Sequence, residues 1–465
     1  MAVWSAVRFS ELSEDLRLDA EFYRPKVLAL RAAIHNAPYS VKTIAEASES
    51  VINFGAYSLC NNITFQEFEE RDKDSVEFIT AQDIQDGFID IANARWVPQD
   101  QHKQLLWKSQ VKTGQVLVAM AARLGHAAVY DEKKPLNSSQ DIAKITVADA
   151  DLLDPYYLAT YINSSVGREL LLAAQTGSVQ QHTNLGRIKN LAVVIAPKAK
   201  QQKIAGLYRG ALEMRRSAAV QVAAAEDLLV KALGLDKLDL SPRLFYARSF
   251  SDLIATQRFD AEYFSPRYQR VLQRLGKDGL SIGSVASPIK NRFQSSRFNR
   301  SEIFRYIEIG ALTGDGQAEA VTLEVAEAPS RAQWIVRPGD VITSTVRPIR
   351  RLSAIITQEQ DGVVCSSGFA VLRANAGSIE PEVLLTYLRL PVICEILDLH
   401  TTASMYPAIP TDRLLRIPIV LPKQSVRNEI VAKVRNSFAA RRESRRLLDR
   451  AKTEVEGLIL GTAKE

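Results

Sequence analysis

The sequence predicts an α/β chain of two tandem mixed modules, each followed by one long helix, and three observations predict it. The 465-residue chain is written twice. Each copy closes on an apolar stretch ending in proline, AVVIAP (192–197) and IPIVLP (417–422). Beyond that proline each copy runs on without another, with apolar residues at three- and four-residue steps, the spacing of one helix face.

The repeat opens with RLDAEFYRPKV (17–27) and RFDAEYFSPRY (258–268), which keep Arg, Asp-Ala-Glu and Pro in register. Lys112-Thr113-Gly114-Gln115-Val116 then faces Arg337-Pro338-Gly339-Asp340-Val341. Asp154-Pro155 opens LATYIN where Glu380-Pro381 opens LLTYLR. The offset between matched residues falls from about 241 to about 226, so the first copy carries an insertion of about 15 residues. Two similar modules in one chain suit a target with two half-sites. An old duplication without shared function is the other way to read them.

Within each copy the elements follow one order. A helix is expected from Pro25 to about Ile34 and from Pro266 to about Leu275, because proline in a first turn loses an N–H that had no partner there. VEFITAQDI (76–84) and FRYIEIGAL (304–312) are β-rich and lead to the turns Asp86-Gly87 and Asp315-Gly316. Buried strands are expected at VLVAM (116–120) and VITSTV (341–346). Helices start at Asp154-Pro155 and Glu380-Pro381, with an acid and a proline in the first turn. A strand is expected in each proline-ended stretch.

The long helices are expected from about Lys200 to Leu233 and from about Ser425 to Leu460. Ile204, Leu207, Ala211, Ala218, Val222 and Ala225 line the first seam; Ile430, Val434, Phe438, Leu448, Val455 and Ile459 line the second. An antiparallel coiled coil would bury both, and Ala205, Ala211, Ala218, Ala219, Ala223, Ala224 and Ala225 would allow close approach. Each helix packing on its own module is the alternative. About 33 helical residues span about 50 Å, against about 34–36 Å for one turn of B-DNA.

Composition narrows the class. Hydrophobic residues make up 46% and charged residues 24%, ordinary for a soluble chain. No apolar run reaches the roughly 18 residues of a membrane span, and the first residues lack the pattern of a secretory signal. Cys60, Cys365 and Cys394 are scattered, which fits a reducing cytoplasm better than a disulfide framework or a zinc site. The net charge of +6 favours a polyanionic partner.

Catalytic signatures are missing. GxxxxGK[ST] and GxSxG do not occur. His35, His102, His126, His182 and His400 have no metal-ligand spacing. Gly314-Asp315-Gly316 lacks the third glycine of a dinucleotide loop and reads as a hairpin turn. Asp154-Pro155-Tyr156-Tyr157 is similar to the DPPY motif of amino-methyltransferases. The second copy has Glu380-Pro381-Glu382-Val383 there, and no glycine-rich S-adenosylmethionine loop accompanies either, so both are read as helix starts.

The alternation of module, long helix, module and long helix resembles the specificity subunit of type I restriction–modification systems, over nearly the whole chain. The markers are the openings with Asp19 and Glu21, and Asp260 and Glu262; Pro197 and Pro422 leading into long helices; and TGSVQQHTNLGRIKNLAVVIAP (176–197), like the pattern that closes each target recognition domain. The second copy departs from it, reading TTASMYPAIPTDRLLRIPIVLP (401–422). The resemblance implies recognition domains at 1–197 and 236–422 and spacer helices at 198–235 and 423–465. It implies a split, asymmetric double-stranded DNA target, two methyltransferase subunits, and restriction–translocase subunits, with no membrane. This chain would hold no cofactor; S-adenosylmethionine, ATP and Mg would sit on the partners. A protein-interaction scaffold in another phage-defence or DNA-modification complex is the rival class.

Candidate DNA contacts follow from side-chain chemistry: Lys and Arg for phosphate, Arg, Gln, Asn, Ser and Thr for base edges. Gln180, Gln181, His182 and Asn184, with Arg187 and Lys189, form one stretch, which a plain polar loop would also explain. Arg292, Arg297 and Arg300, among Phe293 and Phe298 and with Arg305 beyond, form a second, which a solvated loop would also explain. Arg123 and His126 in the first copy, and Arg347, Arg350 and Arg351 in the second, follow the same strand. Tyr406 joins them from the second closing segment. Arg441, Arg442, Arg445, Arg446 and Arg450 read instead as a solvated or subunit-facing helix side.

Overall fold

A computed structural model describes residues 7, 20–55, 62–66, 72–91, 94–173, 182–402 and 406–461. The chain forms two compact units, Met1–Arg215 with Arg441–Glu465, and Arg216–Ala440. Each therefore holds part of both long helices.

The first unit runs α1 (Pro25–His35), β1 (Ser40–Thr43), α2 (Ile44–Ala47), β2 (Ser48–Ile52), β3 (Val76–Ile79), β4 (Arg95–Val97), α3 (Gln99–Gln104), β5 (Val116–Ala119), β6 (Ala127–Val129), β7 (Leu136–Ser138), β8 (Ile142–Val147), α4 (Pro155–Asn163), α5 (Ser165–Ala173), α6 (Leu185–Lys189) and β9 (Ala192–Ile195), then enters α7 (Lys198–Leu233). A four-stranded antiparallel sheet has the order β2-β8-β5-β6. A smaller sheet, β4-β3-β7, pairs β3 with β7 in parallel, and β1 pairs β9. Val116 and Val118 face the main core, and Leu117 and Ala119 a second one, as period-two alternation requires. Asp154 caps α4 by accepting from the Tyr156 and Tyr157 amides at 2.8 and 3.4 Å. The Tyr157 and Tyr161 hydroxyls donate to the Val194 and Ala192 carbonyls at 2.8 and 2.9 Å, which ties α4 to β9.

The second unit runs α8 (Phe250–Thr256), α9 (Pro266–Leu275), α10 (Ile282–Val285), β10 (Ala286–Pro288), β11 (Ile303–Ile307), β12 (Val321–Glu324), β13 (Ala332–Ile335), β14 (Val341–Ser344), β15 (Ser353–Ile355), β16 (Val364–Ser366), β17 (Phe369–Ala374), α11 (Pro381–Arg389), α12 (Pro391–Leu399) and α13 (Thr411–Leu415), and leads into α14 (Gln424–Leu460). Its sheets are β10-β17-β14-β15 and β12-β11-β16-β13.

The copies agree contact by contact. Lys26 pairs with Glu169, and Arg267 with Glu395, each joining the first helix to the helix after the Pro-initiated one. Gln201 donates to the Leu152 carbonyl at 2.9 Å, and Arg427 to that of Ser378 at 2.8 Å. Tyr387 donates to the Pro418 carbonyl as Tyr161 does to Ala192.

Some expectations need correction. IPIVLP forms no strand: only an isolated bridge of Pro418 to Ser281 remains, flanked by the Ile282 amide donating to the Ile417 carbonyl and the Ile419 amide to the Leu280 carbonyl. Residues 76–84 and 304–312 are strands only at their starts and continue as 3-10 turns. The helix start at Glu380-Pro381 holds, with α11 opening at Pro381; the Glu380 side chain makes no cap and instead accepts from Gln424 at 2.9 Å and pairs with Arg427.

The long-helix seams are buried in matched order. Ile204, Tyr208, Leu212, Ala218, Ala225, Leu229 and Leu233 of α7 correspond to Ile430, Val434, Phe438, Ser444, Ala451, Val455 and Ile459 of α14, all buried. In the first unit the pairs Lys203–Glu454 (2.9 Å) and Gly210–Leu447 step in opposite directions, so the helices run antiparallel there. In the second unit Ala225, Leu229 and Leu233 share a core with Ile430, Val434 and Phe438. Ala219 and Ala223 are exposed and take no part in close approach.

Candidate nucleic-acid interface

In both units the loop after the central strand turns through a left-handed residue that is not glycine. Ala122 has φ 55° and Arg347 φ 48°. Holding an L-residue there costs about 1–2 kcal/mol, and such strain persists only where the surroundings fix it. The closing segment does the fixing. The Thr183 amide donates to the Met120 carbonyl at 2.9 Å, and the Ile409 amide to the Thr345 carbonyl at 2.9 Å. In the second unit the Arg347 amide also donates to the Pro407 carbonyl at 2.9 Å. The match is Ala122 with Arg347, so Arg123 corresponds to Pro348 and the two arginines occupy adjacent, not identical, places. The second loop reaches its strand one residue later and uses another left-handed residue, Arg351, at φ 59°.

The first unit places its candidates unevenly. Arg123 is half-buried, and its carbonyl accepts from the His126 amide at 3.0 Å and from His126 Nδ1 at 2.8 Å. Arg168 Nη2 donates to His126 Nε2 at 2.7 Å. Burial first, and then the Arg168 charge, hold this imidazole's pKa down to about 4, so it is neutral with both nitrogens engaged. His126 therefore braces the loop rather than offering its ring to a base. Asn184 caps α6 by accepting from the Arg187 amide at 3.0 Å, which occupies the oxygen a bidentate adenine contact needs. His182 and Lys189 are exposed. Gln180 and Gln181 lie outside the described residues.

In the second unit Arg292, Arg297 and Arg300 are exposed. The aromatics between them serve a small core: Phe293 stacks on Phe298 and Phe304 at 5.3 and 4.9 Å. The Arg292 guanidinium lies 5.6 Å from the Trp334 ring centroid. Arg347 and Arg350 are exposed, and Tyr406 is 71% exposed. Arg351 differs: it donates to both Glu226 oxygens at 2.7 and 2.8 Å and to the Arg389 carbonyl at 2.7 Å. Its guanidinium holds the loop and is not presented outward.

Sequence reading missed the residues beneath these loops. Asn163, the last residue of α4, accepts from the Ala127 amide at 2.9 Å and donates to the Ala127 carbonyl at 2.7 Å. Arg389, at the end of α11, donates to the Arg351, Ser353 and Gly314 carbonyls. The signal was their common place at the ends of LATYIN and LLTYLR. Lys144 is buried too; its ammonium donates to the Lys108 and Gln110 carbonyls at 2.5 and 3.0 Å, and burial holds its pKa down to about 8. In the second-copy opening, Asp260 orients Arg258 at 2.6 Å, and Arg258 donates to the Leu399 carbonyl at 2.6 Å, a scaffold role. Asp19 lies outside the described residues.

His126 and His400 set an acid dependence. Burial holds both near pKa 4, below the ordinary 6.5. Their contribution is present above the unfolded value and is lost as pH falls toward 4. Urea unfolding midpoints should therefore drop between about pH 7 and about pH 4.5, and His126→Gln should lessen the drop.

Among the described residues, no three His, Cys, Asp or Glu side chains come together to hold a metal ion, and no helix is long and apolar enough to cross a membrane.

Residues 56–207 match the model of the type I restriction modification DNA specificity domain. The matched stretch lies within the first unit. The resemblance read from the sequence is borne out. The specificity domain's curated relatives include the type I restriction enzyme HindI specificity subunit of Haemophilus influenzae, 22% identical over 32% of this chain and 33% of that one. The EcoBI specificity subunit of Escherichia coli is 24% identical over 28% of this chain and 27% of that one. The matched stretch thus spans about a third of these relatives or less. Similar solved structures include the S subunit of a type I restriction-modification system from M. genitalium, 12% identical, TM-score 0.37, covering 92% of this chain and 97% of that one. The HsdS subunit from Thermoanaerobacter tengcongensis is 16% identical, TM-score 0.31, covering 91% and 97%.

Proposed function

We propose that this chain reads a two-part DNA site, one part with each unit, and brings partner methyltransferase and restriction subunits to it. The observation that carries the reading is the loop after the central strand, strained and pinned alike in both units while its side chains differ. A shared frame with different side chains gives two readers of different sequence. Arg347 and Arg350 reach for base edges or phosphates in one half, and Arg123 and Lys189 in the other. The chain acts as a recognition component. Methyl transfer and ATP-driven cleavage, with S-adenosylmethionine, ATP and Mg, belong to the partners.

Coexpression with the neighbouring methyltransferase, followed by mapping of methylated adenines, should give a single split motif. Unchanged methylation on deleting this chain would point to a scaffold instead. Arg347→Ala should weaken specific binding by ~1–3 kcal/mol, measured on cognate and unrelated duplexes at one salt concentration. An equal loss on both duplexes would make it a phosphate contact.

A further inference from the structure

One long-helix position makes an ion pair with its module in both units, with its charge reversed. In the first unit Lys452 of α14 pairs with Asp86 at 2.7 Å. Asp86 belongs to the Asp86-Gly87 turn, which lies so close to α14 that a Cβ on Gly87 would meet Leu448 Cδ2 at 2.7 Å. The matched seams align Ala225 with Ala451 and Leu229 with Val455, and so put Glu226 of α7 at the place of Lys452. Glu226 pairs with Arg351.

The second unit keeps the aspartate of the turn, as Asp315, and Glu226, Asp315 and Arg389 line one small cavity. Asp315 and Glu226 bring two like charges to that cavity. Two other differences between the copies answer that repulsion. Gly125 gives way to Arg351, both in the left-handed conformation, and Asn163 to Arg389. Arg351 takes the Glu226 carboxylate, and Arg389 donates to the Gly314 carbonyl beside Asp315. At both places the residue still grips the loop's exit: Asn163 holds Ala127, and Arg389 holds Arg351 and Ser353. Three residues have changed together around an unchanged turn.

We infer that this contact is a seat of opposite polarity in the two units, and that Glu226 and Arg351 are positioning residues for the loop that carries Arg347. The inference rests on the reading that these loops meet DNA. Arg351 sits in a left-handed conformation at the loop's end, and its pair with α7 and its bond to the Arg389 carbonyl hold that end in place. A first module placed on the second unit's stretch of helix would bring Asp86 against Glu226, and the converse would bring Arg351 against Lys452. Each module is thereby keyed to its own stretch.

The test uses the full chain coexpressed with its methyltransferase, with target bases read from methylated adenines. Glu226→Lys should lower methylation of the intact motif about tenfold, the loss of one charge-assisted bidentate contact. The bases of one half of the motif should relax while those of the other half stay as in the wild type, which also shows that the chain has folded. Glu226→Lys combined with Arg351→Gly and Arg389→Asn rebuilds the first unit's set opposite Asp315, and should restore the motif. Should Glu226→Lys prove insoluble, Glu226→Gln removes the charge without reversing it, and a smaller change in the same half is expected. A motif unaltered by Glu226→Lys, a loss spread over both halves, or a triple variant no better than the single one overturns the seat while the DNA reading stands. A wild-type chain that directs no split motif sinks both.

Discussion

Gly167→Ala should destabilise the first unit by about 3 kcal/mol or more, since overpacking against atoms that cannot move lies at the costly end of its range. A Cβ at Gly167 would lie 2.2 Å from the Tyr161 carbonyl oxygen and 2.9 Å from Ile162 Cα. Both are backbone atoms of α4, and that helix is held to β9 by the Tyr157 and Tyr161 hydroxyls. α4 cannot step aside without breaking those bonds. Urea unfolding of the full chain, followed by Tyr fluorescence, should show the transition of the first unit move to lower denaturant. A midpoint unchanged within error would mean that α4 and α5 separate freely.

Arg389→Met should cost about 3 kcal/mol or more, the scale for removing one partner from a buried charged network. Arg389 is 4% exposed, and no water can replace its donors. Methionine fills similar volume but takes the guanidinium donor from the Ser353 and Gly314 carbonyls and leaves the Arg351 carbonyl only the Ser353 amide. It also leaves Glu226 and Asp315 with one cation fewer between them. Amide exchange should quicken at residues 313–316 and 351–353 while β17 stays protected. Exchange that quickens evenly through the second unit would argue for a general packing loss instead.

Much of this architecture was legible because periodicity and punctuation carry it. The proline starts at Pro25, Pro155, Pro266 and Pro381 each open a helix, and the seams of α7 and α14 fall where three- and four-residue steps put them. Legibility failed at IPIVLP, whose β-branched residues favour a strand, yet the chain makes one bridge there, at Pro418, and no ladder. The loops were found but their members were not sorted. His126, Asn184 and Arg351 are residue types that suit a groove, and each is engaged internally by a partner on another element or by its own helix end. Arg351 finds Glu226 on a different element, and His126 finds Arg168; nothing local to either residue announces those pairings. Positive φ at Ala122 and Arg347 was equally silent, since neither residue is the glycine or asparagine that usually marks such a conformation.

The loops proposed to read DNA are attached in part through main-chain amides, Thr183 to Met120 and Ile409 to Thr345. These bonds do not depend on the side chains at Arg123, Arg347 or Arg350, so substitution there alters what is displayed and leaves those bonds intact. Target preference can accordingly drift by single replacements, each inheriting an undisturbed geometry, and each half can change its preference without a compensating change in the other.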